Sequence, residues 1–262
     1  MKSITRVAFV TGAGSGLGKL TCTRLLAQGA KIAALDVNAD SLADSASGHN
    51  DIRTFTADVT DEERLREVAD EVERDLGPID RVVHAAAIMP GSSLLEQGAD
   101  GVRRVMRVNY EGTVNVVQAT LPRMLARGRG VFLCFGSVAG YALTPGLGSY
   151  CASKAAVNSY MEVLIHETAG RGVLIHLACP PMVDTPLIRQ ALSSGGPKSM
   201  PVAIERKLLA SPARVLDAID AAIERGQHIS YPMAMAKWLY AMRRVSPALL
   251  WRVIERSEAA AS

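Results

Sequence analysis

Cysteine is scarce in this chain. Cys22, Cys134, Cys151 and Cys179 stand far apart, with no CxxC pair and no nearby cluster of histidines. That excludes a zinc site and a disulfide framework as organising features and fits a reducing compartment. Net charge is small as well: 29 Lys and Arg against 26 Asp and Glu leave a formal +3, which argues against a dedicated nucleic-acid binder. No window reaches 18 uncharged apolar residues, and the amino terminus MKSITRVAFVTGAG carries only a brief apolar run. Neither a membrane span nor a signal-peptide core is therefore expected, and the protein reads as cytoplasmic. Internal repeats, low-complexity tracts and Pro/Gly/Ser-rich linkers are lacking too. With 48% hydrophobic and 21% charged residues, the 262 residues are expected to form one domain with a sizeable core.

What is present is a rhythm. Short β-branched apolar runs occupy Val7–Val10, Lys31–Leu35, Ile52–Thr56, Arg81–Ala85, Gly130–Phe135, Val173–Ala178 and His228–Tyr231. Segments of helical period fill Gly16–Gln28, Ala39–Ser47, Asp61–Leu76, Ala99–Arg127, Ser149–Ala169 and Pro212–Arg225, with Thr60 as a helix cap ahead of three acids. Such alternation predicts an α/β, doubly wound (Rossmann) fold around a seven-stranded parallel sheet, as a single domain. Leu187–Leu209, broken by Ser193-Ser194-Gly195-Gly196-Pro197, reads as a mobile lid beside a site.

Directly after the first strand run comes Thr11-Gly12-Ala13-Gly14-Ser15-Gly16-Leu17-Gly18, opening into a helix. Small residues there let the backbone approach a pyrophosphate, and the helix amino terminus offers unpaired N–H groups and a favourable dipole. Asp36 closes the second strand about 20 residues later, where a carboxylate accepts hydrogen bonds from ribose hydroxyls. A 2′-phosphate about 4 Å from that carboxylate would meet repulsion of order 4 kcal/mol at an effective dielectric near 20. Ala13, Ser15 and Val37 offer no compensating cation, so NAD(H) is expected over NADP(H).

Farther along, Ser137 follows the fifth strand run, and Tyr150 and Lys154 stand four residues apart on the next helix, on one face. A tyrosine with a pKa of about 10 needs about 4 kcal/mol of phenolate stabilisation to ionise near pH 7; a neighbouring ammonium and an oxidised nicotinamide are natural sources. Together with the turn and Asp36, these residues resemble the short-chain dehydrogenase/reductase family, from Ile4 to about Tyr231. The family's TGxxxGxG turn is matched by Thr11–Gly18, its YxxxK motif by Tyr150–Lys154, its serine by Ser137 and its catalytic asparagine by Asn109.

The resemblance implies that Tyr150 is the general acid/base, Ser137 orients the substrate oxygen, Lys154 lowers the tyrosine pKa and holds the nicotinamide ribose, and Asn109 keeps a water linked to Lys154. It also implies cofactor contacts from Gly12, Ser15, Gly16, Leu17, Gly18, Asp36, Asp58, Val59, Ala85, Ala86, Asn109, Tyr150, Lys154, Val183 and Thr185, with no metal. Two departures stand out. His84-Ala85-Ala86-Ala87 replaces the usual Asn-Asn-Ala-Gly, with His84 read as a substitute for a structural amide; Pro181 replaces a usual glycine and constrains the loop bearing Val183 and Thr185.

Ala87–Pro90, Val138–Leu147 and Leu187–Leu209 are expected to line a pocket with few charges, which favours a lipophilic secondary alcohol or ketone as substrate. Residues 1–232 are read as the dinucleotide-binding and catalytic domain. Residues 233–262 are read as its basic amphipathic helical extension: five basic and two acidic residues fall in 237–262, so the whole charge excess lies there. Trp238, Leu239, Met242 and Val245 share one stripe, followed by Leu250, Trp251, Val253 and Ile254. Such a tail can cover a pocket, meet another subunit or lie on a membrane surface. By resemblance, Ala99–Arg127 and Ser149–Ala169 are expected to join copies in a dimer or homotetramer. A non-catalytic dinucleotide-binding regulator of the same fold, and a membrane-surface protein acting through its tail, are the alternative readings.

Overall fold

The computed structural model describes residues 5–261, so Ile4, where the resemblance begins, lies outside the described residues. Seven strands, β1 Val7–Thr11, β2 Lys31–Asp36, β3 Ile52–Thr56, β4 Arg81–His84, β5 Gly130–Phe135, β6 Val173–Ala178 and β7 Ile229–Ser230, form one sheet in the order β3-β2-β1-β4-β5-β6-β7. Every neighbouring pair is parallel. The order reverses at β1 and β4, which opens a crevice beyond their carboxyl ends.

Helices α1 Gly16–Ala27, α2 Ala39–Ala46, α3 Glu62–Asp75, α4 Leu94–Met106, α5 Gly112–Arg127, α6 Gly148–Glu167, α7 Pro186–Ser193, α8 Ser199–Glu205, α9 Pro212–Glu224, α10 Ala234–Val245 and α11 Pro247–Ala259 complete the described chain. Alternation along the strands divides the core. Phe9, Val82 and Phe132 face α3, α5 and α6 through Leu65, Val72, Val116 and Met161, whereas Ala8, Val10 and Leu133 face α1 and α9 through Leu25, Leu216 and Ile219. Strands buried on both faces read as continuous apolar runs, which is why the sequence exposes them.

Several expectations need correction. The expected helix Ala99–Arg127 is two helices joined by a wide π-turn at Arg107–Glu111, and it is preceded by a turn of helix from Leu94 that kinks at Gly98, with φ 68°. Asp61, not Thr60, caps α3, its Oδ1 accepting the Arg64 N–H at 2.9 Å. Leu187–Leu209 is not an irregular lid but α7 and α8 around a short connection. The strand β4 stops at His84, one residue short of the expected end, and β7 is two residues long.

His84 ties these layers together. Its Nδ1 lies 2.8 Å from Thr11 Oγ1 on β1, and its Nε2 lies 3.0 Å from Thr113 Oγ1 on α5. The Thr113 hydroxyl donates to Asn109 O at 2.6 Å, so Thr113 accepts from Nε2–H and Nδ1 accepts from Thr11, an assignment made from the network. Both ring nitrogens are satisfied by a neutral imidazole, and this is the job of a structural amide. Burial, with the Lys154 charge adding to it, pushes the His84 pKa down to about 3.

An unfolded histidine takes its proton near pH 6.5. The contribution of His84 to stability is therefore complete above that pH and declines as pH falls toward about 3, by up to about 1.4 kcal/mol per pH unit. Urea unfolding between pH 7 and 4 is expected to show a shallower acid limb for His84→Gln than for the parent; identical limbs would contradict the neutral tie.

Candidate active site

The turn from β1 to α1 is built for backbone approach. Gly12 has φ +67°, and a Cβ on it would sit 2.8 Å from the Ala85 carbonyl carbon and the Ala86 nitrogen. A Cβ on Gly18 would lie 2.1 Å from Gly12 O. Ser15 occupies the amino-terminal cap of α1 without a side-chain cap bond, and no acid lies in the first helical turn. The unpaired N–H groups of that end face the crevice uncontested, which suits a phosphate.

Asp36 stands beside this turn. One carboxylate oxygen accepts the Gly14 N–H at 3.0 Å, the other the Asn38 N–H at 3.1 Å. Two backbone donors hold the group in one orientation and leave its remaining lone pairs toward the cavity. Asp58 Oδ1 accepts the Thr60 N–H at 2.8 Å, a local turn bond, while the next carbonyl, Val59 O, accepts from Asn115 Nδ2 at 3.0 Å.

A cavity of about 530 Å³ runs from this turn across the sheet edge. Gly12, Ser15, Gly16, Leu17, Gly18, Asp36, Asp58, Val59, Ala85, Ala86, Ser137, Tyr150, Lys154, Val183 and Thr185 all line it. The prolines at 180 and 181 do not pull their loop away: Met182 O accepts the Ala210 N–H, Asp184 N–H donates to Ala210 O, and Thr185 Cβ lies 3.5 Å from where a Cβ of Gly16 would stand.

Asn109 is the exception among the expected residues. It sits in the π-turn, buried one layer behind the cavity wall, with Oδ1 accepting the Ile88 N–H at 2.8 Å and Nδ2 donating to Ile88 O and Ser153 Oγ, both at 2.9 Å. It pins the segment that follows β4 to α6. The wide turn brings its side chain inward, and such turns recur at functional sites.

Tyr150 and Lys154 are both buried on the cavity face of α6, Lys154 Nζ lying 5.9 Å from the Tyr150 ring centroid. Lys154 Nζ donates to Phe135 O at 2.7 Å, and burial lowers its pKa. Burial pushes the Tyr150 phenol up to about 12, opposed by its hydrogen bond with Ser137. Ser137, buried at the end of β5, also accepts the Ala139 N–H at 3.1 Å through Oγ. Sequence reasoning missed Arg104 and Met235 among the lining residues; Met200 of α8 lies within the expected Leu187–Leu209 lining, and Leu239 and Ile254 belong to the tail that was read as able to cover a pocket. Met235 and Leu239 are four apart on α10, a spacing that marks a shared face but not what the face meets.

The tail helices are turned differently from the expected stripe. Leu239 and Ile254 point into the cavity and Leu250 is buried, whereas Trp238, Val245, Leu249 and Val253 are exposed. No described helix is long and apolar enough to cross a membrane.

A glycine-lined phosphate turn joined by one cavity to a buried Ser137, Tyr150 and Lys154 defines a nucleotide-dependent oxidoreductase on a doubly wound sheet. Residues 6–194 match the profile of the short chain dehydrogenases, and the chain belongs to that family. The 2-(R)-hydroxypropyl-CoM dehydrogenase of Xanthobacter autotrophicus is 33% identical over 225 residues, spanning 82% of this chain and 90% of that protein. A 3-oxoacyl-acyl-carrier-protein reductase of Thermotoga maritima is 32% identical over 186 residues, 70% of this chain and 76% of that one. A short chain dehydrogenase/reductase of Burkholderia phymatum in complex with NAD shares the fold, with a TM-score of 0.82 and 24% identity over 95% of this chain and 96% of the other. One of Burkholderia cenocepacia in complex with NADP has a TM-score of 0.80 and 25% identity, covering 97% and 99%.

The turn leaves no room for a methyl group at residue 18. Gly18→Ala is expected to weaken nucleotide binding at least tenfold in calorimetry with the far-ultraviolet circular dichroism preserved; unchanged affinity would mean the turn does not hold the phosphates.

Proposed function

We propose that this protein transfers a hydride between NAD(H) and a lipophilic secondary alcohol or ketone, with Tyr150 as general acid/base. The observation that carries this reading is that Ser137, Tyr150 and Lys154 open onto the same cavity as the glycine turn and Asp36. Bound nicotinamide would supply or accept the hydride. In reduction, Tyr150 Oη gives its proton to the substrate oxygen while Ser137 Oγ orients that oxygen; in oxidation Tyr150 takes the proton back. Lys154 places its ammonium where it favours the phenolate and reaches the ribose, and Asn109 holds Ile88 and α6 in register behind them.

Asp36 supports NAD(H): its carboxylate is anchored by two backbone donors and cannot swing away from a 2′-phosphate. Among the described lining residues the cations are Arg104 and Lys154, and Val37, beside Asp36, is uncharged. At the other end of the cavity Met89, Leu147, Ile188 and Met200 carry no charge, which supports an apolar substrate. Exposed Val163 on α6 supports self-association through Ser149–Ala169, and Trp238 and Val253 beside Lys237 and Arg252 keep a lipid surface among the readings of the tail. Residues 1–232 are read as carrying the chemistry and 233–262 as its extension.

Turnover of a panel of secondary alcohols, followed as NADH absorbance, tests the reading. Tyr150→Phe is expected to lose at least a thousandfold in kcat with cofactor affinity within threefold, and retained turnover would refute the acid/base role. Because burial raises the Tyr150 pKa, the oxidation rate is expected to climb with pH through the alkaline range while reduction stays flat near neutrality. Asp36→Asn is expected to narrow the preference for NAD over NADP by at least tenfold; a preference for NADP in the parent would overturn the cofactor assignment.

A further inference from the structure

We infer that the C-terminal helix pair is the selective wall of the substrate compartment, with Leu239 and Ile254 setting the size of carbon skeleton it admits and Glu258 latching the wall to α8. The inference rests on the reading of the apolar end of the cavity as the substrate site. Leu239 on α10 and Ile254 on α11 line the same cavity as Ser137 and Tyr150, so the tail completes the compartment in which the substrate oxygen must be placed. Around that end the other lining groups include Pro197, Ser199, Met200 and Met235, none of them charged. An aliphatic wall of this kind discriminates by volume rather than by hydrogen bonding, and one methylene changes selectivity by a factor of about 10–200.

The two ends of the wall are held differently. At the α10 end, Tyr240 stacks on Tyr231 after β7, with centroids 4.3 Å apart, and meets Tyr141 edge-on at 4.9 Å. Arg244 Nη1 donates to the Tyr240 hydroxyl at 2.7 Å. Tyr141 closes the short turn that begins at Ser137, so this anchor registers the tail against the catalytic loop itself. At the α11 end, Leu250, Ile254 and Glu258 recur every four residues on one face: Leu250 is buried, Ile254 faces the cavity and Glu258 reaches α8. The Glu258 carboxylate accepts the Lys198 N–H at 2.9 Å and the Ser199 N–H at 3.3 Å, and also the Ser199 hydroxyl. Those are N–H groups at the start of α8, which have no partner inside the helix. A carboxylate from the tail thus caps α8, and its negative charge suits a helix amino terminus.

The wall is therefore hinged on a half-buried aromatic stack and held at its other end by the Glu258 hydrogen bonds to the start of α8. Releasing Glu258 frees α8 and the far end of α11 together, which opens the compartment on the side away from the nucleotide.

The test uses the full-length protein with a graded series of 2-alkanols and 2-alkanones. Ile254→Ala is expected to raise kcat/KM for the bulkiest members about tenfold relative to the smallest, and Ile254→Trp to shift the series the opposite way, with the affinity for NAD(H) unchanged. Glu258→Ala is expected to raise KM about fivefold or more with kcat and cofactor affinity little changed, and to speed amide hydrogen exchange at Lys198 and Ser199. Glu258→Gln, which keeps an acceptor oxygen, is expected to restore much of the KM. A chain-length profile identical in the parent and both Ile254 variants would overturn the selective wall, and unchanged KM with unchanged exchange in Glu258→Ala would overturn the latch. Calorimetric binding of the same ketones to the protein loaded with NADH gives the profile independently of turnover. Size-dependent ketone binding that responds to residue 254, without turnover in the parent, would defeat the catalytic reading and leave the wall standing; absence of ketone binding would overturn the wall.

Discussion

The turn after β1 reaches the end of β4 only because Gly12 carries no side chain, since a Cβ there would press against the Ala85 and Ala86 backbone at 2.8 Å. That approach places the amino terminus of α1, the Asp36 carboxylate and the alanines after β4 around one crevice. Everything else at the carboxyl edge of the sheet is arranged around it. His84 secures the same contact from below, joining β1 to α5 through two threonine hydroxyls, and Asn109 secures the strand exit above. A buried imidazole that must stay neutral to keep both bonds costs stability in acid, but it holds the cavity wall without a charge near the cofactor position.

The proposed chemistry depends on burial in the same way. On the proposed reading, burial keeps the Tyr150 phenol protonated as a weaker acid than a free phenol, and a nearby cation would be needed to bring it into range to accept a proton. Lys154 is itself penalised by burial and leans on the Phe135 carbonyl. On the proposed reading, the charge of a bound nicotinamide would tip this pair by electrostatics.

Strand runs and the glycine turn were legible because they rest on local rules of period and turn chemistry, whereas Ser137, Tyr150 and Lys154 were singled out by resemblance to the family and meet on one cavity only in the folded chain. The sheet boundaries differ from expectation by a residue or so, where a strand end is defined by its neighbour's hydrogen bonds. The π-turn at Arg107–Glu111 was not legible, since nothing in its composition distinguishes a wide helical turn from an ordinary one. Nor was the order within Leu187–Leu209: a Ser/Gly/Pro cluster signals a break, but α8 is capped by a carboxylate 59 residues farther along the chain.

The tail shows the same division most clearly. Its sequence determined two basic amphipathic helices broken at Pro247 and placed the protein's entire charge excess there. It left open which stripe faces inward, because each helix offers more than one apolar stripe. Tertiary structure decided that question by supplying the partners: the Tyr231 and Tyr141 rings for Tyr240, the cavity for Leu239 and Ile254, and the start of α8 for Glu258. Periodicity is a property of the chain, but the surface that a periodic face buries is fixed only when distant segments come together.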